Sequence, residues 1–89
     1  MITGKTKGGF EFAIPDGATN DMELLEGITE LDNGDLSHIR QTVTALLGKD
    51  QKEKLYNYLR DKDTGRVPAD KVMEALGEIF AAANGDLKN

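Results

Sequence analysis

Glycine punctuates this chain at Gly34, Gly48, Gly65 and Gly85, and the stretch before each carries apolar residues at helical steps. No other feature constrains the fold as much, because it divides most of the chain into short amphipathic helices that must share one core. Leu24, Leu25, Ile28 and Leu31 make the first stripe, predicting a helix over 21–32. Asn20, three residues before Glu23, has the spacing of a capping box. Asp21, Glu23 and Glu26 suit the positive end of a helix dipole. Gly27 inside this helix costs about 1 kcal/mol against alanine, so it either permits close packing or weakens the helix. Leu36, Ile39, Val43, Leu46 and Leu47 predict a second helix over 36–47. A third is expected over 50–62, with Leu55, Tyr58 and Leu59 inward. The fourth, over 68–83, opens at Pro68, a favoured first helical position. It sets Val72, Ala75, Leu76, Ile79, Phe80 and Ala83 on one continuous face. Gly85 is expected to end it.

Ahead of the helices, Ile2, Thr6, Phe10, Phe12 and Ile14 are strand formers, with Lys7-Gly8-Gly9 as a turn between them. Phe10, Phe12 and Ile14 alternate with Glu11 and Ala13, so a hairpin over 1–14 has one apolar face. Two strands alone are marginal in water, so that face must lie on helices. The expected fold is α+β, a single domain over 1–89. An N-terminal β-hairpin is followed by four short helices packed as a small, mainly helical domain.

At 89 residues, such a domain buries only about 60–65% of its unfolded surface. Charged residues are 30% and hydrophobic ones 38%, the balance of a soluble globular chain. No cysteine is present, so disulfides and thiolate metal sites are excluded. No apolar run approaches the roughly 20 residues that span a bilayer. The opening lysines precede no apolar segment of the kind a signal peptide needs, which makes the cytoplasm the expected location.

Net charge is −5, and it is segregated. From Phe10 to Ser37 all charges are acidic: Glu11, Asp16, Asp21, Glu23, Glu26, Glu30, Asp32 and Asp35. Most basic residues follow, among them Arg40, Lys49, Lys52 and Lys54. The acidic helix either folds against the basic middle or pairs with it between copies, giving weak, salt-sensitive self-association. The charge and a pI near 4.7 argue against nucleic acid as a partner.

"RDKDTGRVPADKVMEAL", residues 60–76, imitates a calcium loop, since Asp61 and Asp63 have the spacing of the first two ligands. An EF-hand loop needs glycine at its sixth position and glutamate at its twelfth. Counted from Asp61, those places hold Arg66 and Val72. Lys62 and Arg66 add positive charge. The residues predict a turn instead, with Gly65 closing the third helix at positive φ and Asp61 and Asp63 capping or solvating that turn. "TGKT" at 3–6 has the ending of a phosphate-binding loop, but the glycine and buried strand that must precede it are missing. His38 is the one histidine and Ser37 the one serine. Helix neighbours do not face each other, so they cannot pair as base and nucleophile. One histidine without cysteine cannot make a zinc site. No catalytic, cofactor or metal residues are therefore assigned, and the chain is expected to be a non-enzymatic interaction module. The hairpin edge, the acidic first helix and the Met73–Phe80 side of the fourth helix are its candidate surfaces. Met73, Phe80, Phe10 and Phe12 are the partner-binding candidates.

Taken in order, four stretches resemble the tail assembly chaperone family of Gram-positive siphophages and prophages. "TGKTKGGFEFAIPDG" is similar to the family's lysine-containing hairpin. "NDMELLEGITELDNGDLSHI" is similar to its acidic helix and Gly-Asp-Leu step. "VTALLGKDQKEKLYNYLRDKDTGRVPADKVMEALGEIF" resembles its Leu-Leu-Gly, its basic third helix, its Gly-Arg-Val-Pro turn and its closing helix. The resemblance implies a protein that keeps the tape measure protein soluble while tail tube subunits polymerise around it, and that is absent from the finished virion. It also implies a longer product made by ribosomal frameshifting, with which the closing Lys88-Asn89 is compatible. The tail tube protein is a further partner the resemblance suggests. The alternatives are a head–tail or tail component of the virion and a small bacterial regulatory helical domain.

Overall fold

In the computed structural model, which describes residues 1–87, strands β1 (Ile2–Lys5) and β2 (Glu11–Ile14) form an antiparallel pair. Four helices follow: α1 (Met22–Asp32), α2 (Ile39–Leu47), α3 (Lys49–Leu59) and α4 (Ala69–Leu87). The hairpin and the four helices match the α+β fold read from the sequence.

The hairpin closes through Thr6. Its amide donates to the Phe10 carbonyl at 2.9 Å, and its hydroxyl accepts from the Phe10 amide at 3.1 Å. Strand alternation then turns Phe12 and Ile14 onto the helices, where both are buried. Gly4 stands opposite Phe12, and a Cβ there would lie 2.7 Å from the Phe12 Cζ. The glycine of "TGKT" thus makes room for an aromatic ring lying across β1.

The outer edge of β2 is also closed. The Ala13 amide donates to Gln51 Oε1 at 2.7 Å, and Gln51 Nε2 donates back to the Ala13 carbonyl and to the Leu47 carbonyl at 2.8 Å. One carboxamide from α3 therefore stands where a third strand would pair. Gln51→Ala is expected to cost about 1 kcal/mol, and up to about 3, because it strands a part-buried amide and carbonyl. A urea denaturation midpoint equal to that of the parent chain would refute this.

Helix ends explain most differences from the sequence reading. Asp21, not Asn20, caps α1, accepting from the Glu23 amide at 2.9 Å. Gly34 (φ +85°) ends α1 as expected, and the Asp35 amide reaches the Glu30 carbonyl at 2.8 Å while the Gly34 amide reaches that of Leu31 at 3.0 Å. Helix α2 starts three residues later than expected, at Ile39. The Asp35 carboxylate takes the Ser37 amide and hydroxyl, and this local turn competes with helix, leaving Leu36 exposed. Helix α3 stops at Leu59, because Arg60 is extended and its guanidinium donates to the Gly65 carbonyl at 2.8 Å. Helix α4 starts after Pro68, whose carbonyl accepts from Val72, and runs past Gly85 to Leu87. Glycine permits a helix to end and does not impose it.

The core joins the hairpin to all four helices: Phe10, Phe12, Ile14, Leu24, Val43, Leu46, Leu47, Leu55, Val72, Ala75, Leu76, Ile79 and Ala83. The α4 stripe is buried as read, apart from Phe80, which is half-buried. The stripe of α1 is corrected. Leu24 and Gly27 face inward, Ile28 and Leu31 are half-buried, and Leu25 is exposed. Gly27 is a contact point, since a Cβ there would lie 2.0 Å from Thr42 Oγ1 on α2.

Candidate interaction surface

Phe10 and Phe12, named as partner-binding candidates, are part of the core in this fold. They are 7% and 5% exposed, because the apolar hairpin face needs the helices to cover it. Phe10 further stacks at a tilt on Tyr58, with ring centroids 5.6 Å apart. Tyr58, expected inward, is exposed and donates its hydroxyl to the Gly8 carbonyl, clasping the hairpin turn from outside.

Met73 and Phe80 do share a surface. They line a groove between α1 and α4 with Ile28, Leu31, Leu76 and Gly77, and Asp32 and Ala81 lie at its margins. Helix α1 leans mainly on α2, so its Ile28–Leu31 side is only half covered. Met73 is 37% exposed, and Leu76 forms the buried floor. Ile28 and Leu31, read as part of the α1 stripe, pack half-buried against the core and border the groove. Their three-residue step defines a helix face, but not which neighbour covers it.

The acidic helix has two exposed sides. Met22 and Leu25 stand on the outer one, next to Glu26. The other borders a polar cleft, where Asp21, Glu23, Glu26 and Glu30 face His38, which precedes α2, and Arg40, Gln41 and Thr44 of α2. Arg40 lines this cleft, but among the described residues no ion pair joins it to α1. Among the described residues no ion pair joins α1 to Lys49, Lys52 or Lys54. Lys52 instead lies 5.4 Å from the Tyr56 ring centre.

Across the Gly34 turn, Glu30, Asp35 and His38 come together, with one ligand-type atom from each inside 4.8 Å. His38 Nδ1 is 3.0 Å from Glu30 Oε2 and 3.2 Å from the Ser37 hydroxyl, which donates to Asp35 at 2.6 Å. The expectation that Ser37 and His38 would not meet held only for a continuous helix, and both precede α2. The cluster ties the end of α1 to the start of α2. The Ser37 hydroxyl, then its backbone amide, hold the Asp35 carboxyl below the usual carboxylate range. A lowered folded pKa means that this turn contributes stability at neutral pH and loses it as pH falls through the acidic range.

The calcium-like loop is closed on itself. Asp61 Oδ1 accepts from the Asp63 amide at 2.7 Å and the Thr64 amide at 3.2 Å. The Asp61 amide donates to the Arg66 carbonyl at 2.8 Å, and Gly65 has φ +73°. Gly65 closes this turn, six residues after α3 has ended. Calcium is expected to leave the melting temperature unchanged. A site with a Kd of about 10 μM, tested at about 1 mM calcium, would add about 2.7 kcal/mol. A rise of several degrees would overturn this.

No described helix is long and apolar enough to cross a membrane. No protein-family profile, curated protein or solved structure matches this chain.

Proposed function

We propose that this chain is a non-enzymatic tail assembly chaperone of a Gram-positive siphophage or prophage, acting in the host cytoplasm on the tape measure protein and absent from the finished virion. The order and spacing of the four stretches that resemble the family support the phage assignment. The observation that carries a chaperone role is the open apolar groove holding Met73 and Phe80, on a domain whose other apolar stripes are largely used by its own core. An apolar groove with Met73 at its mouth suits the side chains of a partner. Weak self-association through α1 carboxylates and α3 lysines belongs to the same reading, since copies coating a long client gain from contacts with each other. It would weaken as salt rises.

The test is co-expression with the tape measure protein encoded alongside it, followed by fractionation and pull-down. The client should move to the soluble fraction and carry this chain with it. A client that stays insoluble would count against the proposal. Mass spectrometry of purified virions separates the chaperone, which is lost, from a virion component, which is retained.

A further inference from the structure

Gly27 of α1 and Gly77 of α4 both lie inside helices, and they differ in what they face. Gly27 of α1 is filled from within, by Thr42. Gly77 of α4 is open, for among the described residues a Cβ there would meet no atom within 4 Å beyond its chain neighbours and its own helix backbone. Glycine inside a helix is unfavourable, and it suits places where another backbone approaches closely. Gly77 sits in the α1–α4 groove, between Met73 and Phe80. The groove follows α4 from Met73 to Ala81, about 12 Å at the helical rise, or a little over two turns.

Its charges are one-sided. Asp32 lines it from α1, and no lysine or arginine is among the described residues that line it. On α4, exposed Asp70 and Glu74 stand one turn apart, beside Met73 and one turn before Gly77. A second copy makes a poor occupant. The outer face of α3 is polar, with Lys49, Asp50, Glu53, Lys54 and Asn57 exposed. The exposed Met22 and Leu25 of α1 lie among Glu23 and Glu26, which would meet the acidic rim.

We propose that this groove seats an amphipathic helix from another protein, with two or three apolar residues at i, i+3/i+4 and i+7 crossing α4 at Gly77 and lysine or arginine on its flanks. The apolar residues enter between Met73, Leu76 and Phe80. The flanking cations meet Asp32, Asp70 and Glu74. Resting on the chaperone reading, the helix belongs to the client.

The test uses two helical peptides of one pattern, leucine with lysine and leucine with glutamate, measured by fluorescence anisotropy against the full chain. The lysine peptide should bind at least about tenfold tighter. Gly77→Leu keeps the charge, removes a helix-interior glycine and fills the groove. It should melt no lower than the parent and lose lysine-peptide affinity by about tenfold or more. Asp70→Lys with Glu74→Lys should narrow or reverse the preference. Undiminished binding by a folded Gly77→Leu chain, or equal binding of both peptides, would overturn the proposal. The client separates the two readings. If Gly77→Leu loses the peptide yet still keeps the client soluble, the groove is not the client's seat and the chaperone reading stands. If the parent chain binds the peptide through Gly77 but never solubilises the client, the chaperone reading falls and the groove's preference remains.

Discussion

Leu76→Ala should remove about 2–5 kcal/mol of stability. Leu76 is 1% exposed and lies at the centre of the α4 stripe, between Val72 and Ala75 on one side and Ile79 on the other. It also forms the floor under Met73 and Phe80. The loss has two parts: apolar area no longer withdrawn from water, and a cavity the surrounding helices fill only in part. For a domain of 89 residues, total stability is on the order of 4–13 kcal/mol at roughly 0.05–0.15 per residue. The variant should therefore melt on the order of 10 °C lower or more, or fail to fold at all. Thermal melting by circular dichroism measures this. An unchanged midpoint would show that α4 does not anchor the core.

Gly27→Ala is expected to destabilise by about 1–3 kcal/mol, against the helix propensity that favours alanine by about 1. The new methyl would lie 2.0 Å from Thr42 Oγ1 and 3.0 Å from both Thr42 Cβ and Cγ2. Rotating Thr42 exchanges one close atom for another, since both branches of the side chain face the glycine. Rotation also breaks the hydroxyl's 2.9 Å bond to the His38 carbonyl. Helices α1 and α2 must therefore move apart. Thr42→Ala in the same chain should restore part of the loss, a coupling that two independent sites would not show. Gly77→Ala is the matched control and should stabilise by about 0.5–1 kcal/mol, because nothing stands in its way. If both alanines act alike, the contact between α1 and α2 is not as close as described.

Much of this fold was legible in the residues alone, where the interaction that decides a feature is local. Glycines at 34 and 65 take positive φ where turns were expected. The α4 stripe is buried at Val72, Ala75, Leu76, Ile79 and Ala83. The self-closed turn at Asp61 follows from a carboxylate that reaches its own backbone two residues on. Alternation along Phe10–Ile14 marked an apolar hairpin face that had to be covered.

The tertiary structure decided what each face meets. Phe10 and Phe12 read as candidate contact residues and are core, while Ile28 and Leu31, read as part of the α1 stripe, are half-buried and line the groove. Periodicity names a face of a helix or strand. Only the packing of α1 on α2 through Gly27 and Thr42 determines which part of that face stays open. The same holds for Gln51, a polar residue without a motif, whose carboxamide closes β2 from 38 residues away. Gly27 and Gly77 are alike in sequence, each a glycine within an amphipathic helix. Their opposite surroundings, one filled by Thr42 and one empty, arise from contacts between segments distant in the chain.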